Sequence, residues 1–299
     1  MPFTRLVRFV PRGRQDAILI GEPLDPNIDV GKEVRRGNDV KVNVFNGISV
    51  LDFGSATGSI ESIDRVLSPL AMTEVGTIRC IGLNYAKHAK EANLALPSVP
   101  VVFLKPATSL GDPWPASTII PSFSLVDDTA DYESELCVII GKTAKNVTEE
   151  DALSYILGYT ASNDISARKS QFDQSQWCFS KGFDTACPIG PTLVSTAVIP
   201  DPSKLRIRGL KNGKVVQDSS LSDLIVSIPK LVSWLSQGTT LPTGTVILTG
   251  TPAGIGMAME PTEYLHHGDE FVVEILPHIG SLYSTIKNED QIPPKLADE

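Results

Sequence analysis

Residues 131–140 read Asp131-Tyr132-Glu133-Ser134-Glu135-Leu136-Cys137-Val138-Ile139-Ile140. The apolar run from Leu136 to Ile140 predicts a buried strand. Side chains two apart on an extended chain share a face, so Glu133 and Glu135 aim into one cavity at the mouth of that strand. Two parallel carboxylates there repel, and ionising both is costly unless a cation neutralises them. A hard divalent ion with oxygen ligands, Mg²⁺ or Mn²⁺, is the simplest answer. The alternative is an edge strand carrying two solvated glutamates. A third acid follows in Asn163-Asp164-Ile165-Ser166-Ala167-Arg168.

The chain has 299 residues, 41% hydrophobic and 20% charged, a globular composition long enough for one large β-rich domain and a small one. Its net charge of -9 argues against nucleic acid and anionic membrane surfaces, which need clustered Lys and Arg. No apolar run approaches the ~18 residues of a membrane span. The N-terminus lacks a signal-peptide core, so a cytoplasmic location is expected, with a short mitochondrial presequence left open. The four cysteines, Cys80, Cys137, Cys178 and Cys187, form no CxxC pair and have no neighbouring His at zinc spacing. Cys80 and Cys137, in apolar strand-like contexts, read as small buried hydrophobes in a reducing compartment.

Residues 3–10 and 17–20 read as strands, and Lys41–Phe45 alternates before the hairpin signal Asn46-Gly47. Residues 63–67 read as a connecting segment, with Pro69 as a breaker. A small N-terminal domain is therefore drawn over 1–70, a larger domain over 71–290 and a polar, frayed tail over 291–299. Thr77–Leu83 predicts a strand, with Asn84 capping a helix over Tyr85–Asn93. Thr148-Glu149-Glu150-Asp151 predicts the start of a helix through Ile156. A further helix begins near Ser227 and Pro229, buries Leu231, Val232 and Leu235, and stops at Gly238. Val246–Thr249 and Glu270–Leu276 are the last predicted strands. Strands outnumber the separated helices, which gives a mixed, β-rich α+β fold rather than alternating βαβ units.

Several further residues carry potential chemistry. His88 and Glu91, three apart on the predicted helix, share a face. A carboxylate fixes an imidazole's tautomer and raises its basicity, as a water-activating base requires; an exposed ordinary helix pair is the alternative. Lys181 lies among aromatic residues, either snorkelling to solvent or held against a buried anion. Arg168 could fork onto a substrate carboxylate or be a surface charge. Thr249-Gly250-Thr251-Pro252-Ala253-Gly254-Ile255-Gly256 lacks the pattern of a phosphate loop or a dinucleotide fingerprint. As a backbone cradle its amides could hold a carboxylate. No Gly-x-Ser-x-Gly nucleophile elbow is present.

Taken in order, Gly82–Glu91, Phe103-Leu104-Lys105-Pro106, Asp131–Lys142, Gly158–Gln171, Trp177–Pro191 and Leu248–Gly256 resemble the fumarylacetoacetate hydrolase superfamily. The match is closest to the branch of the fumarylacetoacetate hydrolase domain-containing protein 2. The resemblance spans roughly residues 75–288. It implies a β-roll catalytic domain, a homodimer and one Mg²⁺ or Mn²⁺ per subunit. It implies metal carboxylates at Glu133, Glu135 and Asp164, and a catalytic set of His88, Glu91 and Lys181. Arg168, Gln171 and Thr251 fall on substrate-pocket positions, and Ala92–Pro97 on a mobile lid. The implied partner is a small keto acid. The expected reaction is metal-dependent hydrolysis of a C–C bond in an acylpyruvate- or fumarylacetoacetate-type acid. Oxaloacetate tautomerisation or decarboxylation stands as an alternative, and a non-catalytic metal- and keto-acid-binding protein as another.

Overall fold

The computed structural model describes residues 3–292; the expected fraying from residue 293 onward lies outside the described residues. Strands β1 (Arg5–Pro11), β2 (Leu19–Pro23), β3 (Lys41–Phe45) and β4 (Ala56–Leu67) come first. β1 pairs with both β2 and β4, and β3 pairs with the same two, so the four strands close into a ring. Val7, Phe9, Val42 and Val66 belong to its core. The segment 63–67, expected to be a connection, is the end of the long strand β4. A register shift between Val10 and Pro11 breaks the two-residue alternation there, which hid the strand. Asn46-Gly47 is not a two-residue turn. The chain runs on to Ser55, whose N–H donates to Asn46 Oδ1 at 2.8 Å, before β4 begins.

The rest of the chain supplies β5 (Ile78–Gly82), β6 (Val101–Lys105), β7 (Leu110–Gly111), β8 (Ser117–Ile120) and β9 (Ala130–Asp131). Then come β10 (Ser134–Ile140), β11 (Ile156–Asn163), β12 (Ser166–Ala167) and β13 (Cys187–Ser195). The last are β14 (Arg206–Lys211), β15 (Lys214–Ser220), β16 (Val246–Leu248), β17 (Glu270–Ile275) and β18 (Gly280–Asn288). The main sheet runs β2-β3-β4-β1-β13-β11-β10-β16-β5-β6, with β7 beside β13. A second sheet runs β15-β14-β17-β18-β8. Helices are few and short, so the β-rich reading holds. No described helix is long and apolar enough to cross a membrane.

β10 is the centre of this arrangement. Leu136, Val138 and Ile140 enter one hydrophobic cluster, while Cys137 and Ile139 enter another on the opposite face. All seven residues of the strand are buried, which rules out the edge-strand reading of its acids. Cys80, Cys137 and Cys187 are buried free thiols, and Cys178 is exposed.

Two helix signals resolve differently from expectation. The Thr148–Asp151 box forms, with Asp151 N–H donating to Thr148 Oγ1 at 3.2 Å, but it opens only a single 3₁₀ turn, Ala152–Tyr155. Ile156 is already committed to the main sheet. Asn84 does not cap the helix Ala86–Glu91; Tyr85 holds the cap position without a side-chain bond. Asn84 is buried and instead donates to Val226 O at 3.1 Å and Thr249 O at 2.8 Å. Its Oδ1 accepts from Val226 N at 2.8 Å. The helix Ile228–Ser236 follows its expected pattern, with Ser227 at the cap position and Leu231, Val232 and Leu235 buried.

Asn84 thus ties β5 to the Gly-rich loop and to the helix Ile228–Ser236. An orphaned buried polar group costs about 1–3 kcal/mol. Asn84→Ala orphans several and is expected to lower unfolding free energy by about 2–4 kcal/mol in urea titrations. A loss within ~0.5 kcal/mol, the size typical of a surface substitution, would contradict this bridging role.

Candidate active site

The acids converge because of register. β10 and β11 are antiparallel with Ser134 opposite Asn163 and Glu135 opposite Ser162. One step beyond that pairing brings Asp164 level with Glu133, and Asp164 N–H donates to Glu133 O at 2.9 Å. Glu133 itself lies just before β10, its N–H bound to Asn163 Oδ1 at 2.9 Å. Glu133, Glu135 and Asp164 are buried and present oxygen atoms that all lie within 4.8 Å of one another. A compact, all-carboxylate, buried donor set fits a hard divalent cation.

The charges around these acids explain why burial is tolerated. Lys181 Nζ lies 3.0 Å from Glu133 and 2.9 Å from Asp164. Lys105 Nζ sits 2.5 Å from Asp164 Oδ1 and donates to Ala186 O at 2.7 Å. Arg168 Nη1 reaches Glu133 at 2.6 Å, and its Nε reaches Asp131 at 2.8 Å. Burial pushes the Glu133 carboxyl up, but Lys181 and Arg168 outweigh it and hold the group below the usual carboxylate range. Glu135 has no such cation. Burial, then the charges of Asp164 and Glu133, push it well above that range, against the opposing hydrogen bond from Gly250 N–H. The acid that lacks a counter-charge is the one a metal ion would serve most. Lys181 is held against buried anions; it does not snorkel. Arg168 is a buried ion-pair partner and not a surface charge.

His88 Nδ1 lies 3.1 Å from Glu91 Oε2. Both oxygens of Glu91 accept from Gly254 N–H, at 2.9 and 3.2 Å. The cradle reading of the Gly-rich loop therefore holds in a specific form: its amides hold the protein's own carboxylates. Gly250 N–H donates to Glu135 at 2.6 Å, and Gly256 and Met257 N–H donate to Asp131 at 2.7 and 3.0 Å. Gly254 has φ +102°, and a Cβ there would meet Val216 O at 2.0 Å, so the loop needs glycine at this point.

A cleft of about 150 Å³ opens over these groups, lined by His88, Glu133, Arg168, Gln171, Lys181 and Thr251 together with apolar side chains. Gln171 Oε1 accepts from Arg168 Nη1 at 2.9 Å. Thr251 Oγ1 accepts from Gln217 Nε2 at 2.8 Å. Ala92 and Leu94, from the expected lid stretch, reach the same cleft. Every sequence-proposed site residue is thus in one region, with Glu135, Asp164 and Glu91 just behind the cleft wall.

A family signature described as the fumarylacetoacetate (FAA) hydrolase C-terminal domain matches residues 77–287. The chain belongs to the fumarylacetoacetate hydrolase family. It is 42% identical to the caffeoylpyruvate hydrolase of Neonothopanus nambi over 291 residues, 96% of this chain and 94% of that one. It is also 42% identical to the oxaloacetate tautomerase YisK of Bacillus subtilis over 212 residues, 70% of this chain and 69% of that one. Among solved structures, the 2-hydroxyhepta-2,4-diene-1,7-dioate isomerase of Mycobacterium marinum superposes with a TM-score of 0.77 at 29% identity, covering 96% and 99% of the two chains. Fumarylacetoacetate hydrolase family members are divalent-metal-dependent enzymes acting on small keto acids, which agrees with the buried acidic cluster.

Lys105, Asp131 and Gln217 were not picked out as site residues from the sequence. Asp131 had a signal: it continues the two-residue spacing of Glu133 and Glu135. Lys105 had a weaker one, as the lone charge closing Val101-Val102-Phe103-Leu104. Gln217 had none, because it arrives from the second sheet; its Oε1 accepts from Ser134 N at 2.9 Å. Asp131 orients Arg168 and pins the loop at Gly256 and Met257. Charge-assisted hydrogen bonds contribute about 1.5–3 kcal/mol. Asp131→Asn is therefore expected to raise KM for keto acids about tenfold with a smaller change in kcat. A fall confined to kcat would contradict this orienting role.

Proposed function

We propose that this protein hydrolyses the C–C bond of an acylpyruvate-type 2,4-dioxo acid. Glu133, Glu135 and Asp164 would hold Mg²⁺ or Mn²⁺, and His88, Glu91 and Lys181 would act on the substrate. The observation that carries the reading is the His88–Glu91 pair, anchored through Gly254 N–H at the cleft above three buried acids. A bound divalent cation would supply Lewis acidity toward the keto oxygen and carboxylate of the substrate.

The chain's own groups account for the remaining steps. With Nδ1–H donated to Glu91, His88 would keep Nε2 free as a base. His88 takes a proton from water, and the water oxygen bonds to the acyl carbonyl carbon. The bond from that carbon to the methylene breaks, and its electron pair stays with the pyruvate fragment. Protonation of the methylene carbon then gives pyruvate and a carboxylic acid. The Lys181 ammonium, 2.9 Å from Asp164, offsets negative charge as it builds. Arg168, Gln171 and Thr251 would seat the carboxylate end.

Oxaloacetate tautomerisation is the second reading, favoured by the likeness to the Bacillus subtilis tautomerase; decarboxylation would use the same cleft floor. Neither needs activated water. A binding protein without turnover would keep the acids but has no use for the anchored His–Glu pair. We further propose a homodimer: Val101, Val102 and Leu104 are partly exposed on β6, the free edge of the main sheet, and such an edge invites a partner. A cytoplasmic location, with the mitochondrion as the alternative, belongs to the same proposal. So does the division near residue 70, supported by a cleft lined only from Ile81 onward.

His88→Ala should cut acylpyruvate hydrolysis by ~10²-fold or more, the usual contribution of general-base catalysis, while retaining part of any oxaloacetate enolisation. Equal loss of both activities would contradict the assigned base. Chelation should abolish turnover, and Mg²⁺ or Mn²⁺ should restore it in the wild type but not in Glu135→Ala. Chelator-resistant turnover would overturn the metal reading.

A further inference from the structure

The polar side chains that line the cleft differ in which of their atoms are already taken. Gln171 Oε1 accepts from Arg168 Nη1 at 2.9 Å, which leaves its amide N–H groups to donate elsewhere. Arg168 carries donors only, and its Nη2 is buried without a partner. Thr251 Oγ1 accepts from Gln217 Nε2 at 2.8 Å. Thr251 is 4% exposed, and among the described residues nothing accepts its hydroxyl hydrogen.

Gln217 sets that polarity. A side-chain amide can often be turned end for end, because its oxygen and nitrogen are alike in size. Here it cannot. Gln217 Oε1 accepts from Ser134 N–H at 2.9 Å, and a backbone N–H only donates. Gln217 Nε2 donates to Pro252 O at 2.9 Å, and a backbone carbonyl only accepts. Two main-chain groups therefore fix the direction of the amide, and its remaining N–H goes to Thr251. A hydroxyl that accepts this bond keeps its own hydrogen for another acceptor.

The fold makes room for this amide. Gln217 is 1% exposed and lies on β15 opposite Gly209 of β14. A Cβ at Gly209 would come 2.5 Å from Ser134 Oγ and 2.9 Å from Gln217 Oε1, so a larger residue there would push the amide off Ser134. Ser134 stands between Glu133 and Glu135 in the chain. Gln217 thus connects the strand of the acids to a cleft residue without lining the cleft itself.

Resting on the hydrolase reading above, we propose that Gln217 is a positioning residue: it makes Thr251 a hydrogen-bond donor to the carboxylate of the 2,4-dioxo acid. The group seated at Thr251 is then an acceptor, and an ionised carboxylate accepts more strongly than a neutral amide or alcohol.

The test is a double-substitution cycle on the Mg²⁺-loaded full chain, with Gln217→Met, Thr251→Val and the two together. It is read by kcat and KM for 2,4-dioxopentanoate and by calorimetric binding of pyruvate, which carries the same carboxylate. Thr251→Val should raise KM and weaken pyruvate binding about tenfold, as loss of a hydrogen bond to a charged group implies. Gln217→Met should do the same severalfold, with a smaller change in kcat. In the Thr251→Val background it should add less than about twofold. The conservative Thr251→Ser should keep the wild-type sensitivity to Gln217→Met. Gln217→Glu retains the acceptor for Ser134 N–H and serves if the Met variant does not fold. It should draw the Thr251 hydrogen onto its own carboxylate and give the same non-additivity.

Losses that multiply in the double variant make the two residues independent and overturn the proposal. So does a fall in kcat that persists in the Thr251→Val background. That result would make Gln217 a support for the whole loop, which also holds Glu135 and Glu91. Pyruvate binding indifferent to both substitutions overturns it as well. A wild-type chain that hydrolyses no 2,4-dioxopentanoate overturns the hydrolase reading, and the pyruvate cycle, which needs no turnover, then decides the role of Gln217 on the same criterion.

Discussion

Everything in this protein is arranged around the cost of keeping four carboxylates, Asp131, Glu133, Glu135 and Asp164, out of water. Each is at least nine-tenths buried, and a bare carboxylate at such a depth would lose several kcal/mol of hydration. Lys105, Lys181 and Arg168 answer most of that charge at distances between 2.5 and 3.0 Å. The residual negative charge centres on Glu135, where a backbone amide is the sole hydrogen-bond donor. A bound cation would offset that imbalance, which exists only because β10 is packed between two hydrophobic clusters.

The Gly-rich loop 250–257 makes the site a single mechanical unit. Its amides hold Glu135, Glu91 and Asp131, one carboxylate from each of three functions: the acidic cluster, the His88 pair and the orientation of Arg168. Backbone amides are suited to this because they cannot titrate and are fixed by the fold. Displacing the loop would disturb all three together. Leu83, at φ +51° beside Asn84, is a non-glycine residue in the left-handed region where β5 hands over to the His88 helix. Such conformations persist where surrounding contacts fix them, and the bonds of Asn84 are those contacts.

The sequence by itself determined the acids, their pairing and the family. The two-residue spacing of Glu133 and Glu135 before a solid apolar run is a local property of an extended chain, so it could be read directly. The helix Ile228–Ser236 and the strands around Cys80 and Phe271 were legible for the same reason. His88 and Glu91 needed only the three-residue spacing of one helical turn. Signals that misled were those a tertiary contact outcompeted: Asn84, drawn to Val226 and Thr249; the Thr148 box, cut short because Ile156 joins a strand; and residues 63–67, whose alternation a bulge interrupts.

Tertiary structure alone decided which charges neutralise which. Lys105 and Asp164 are far apart in the chain, and Gln217 comes from another sheet; no local pattern announces such pairs. The same holds for Trp177, which lies against Gly82 only because the Trp177–Lys181 turn packs onto β5 and β6. Local periodicity reports which face a side chain takes. Partnership between residues distant in sequence depends on strand order and register, and these are set by the packing of the whole chain.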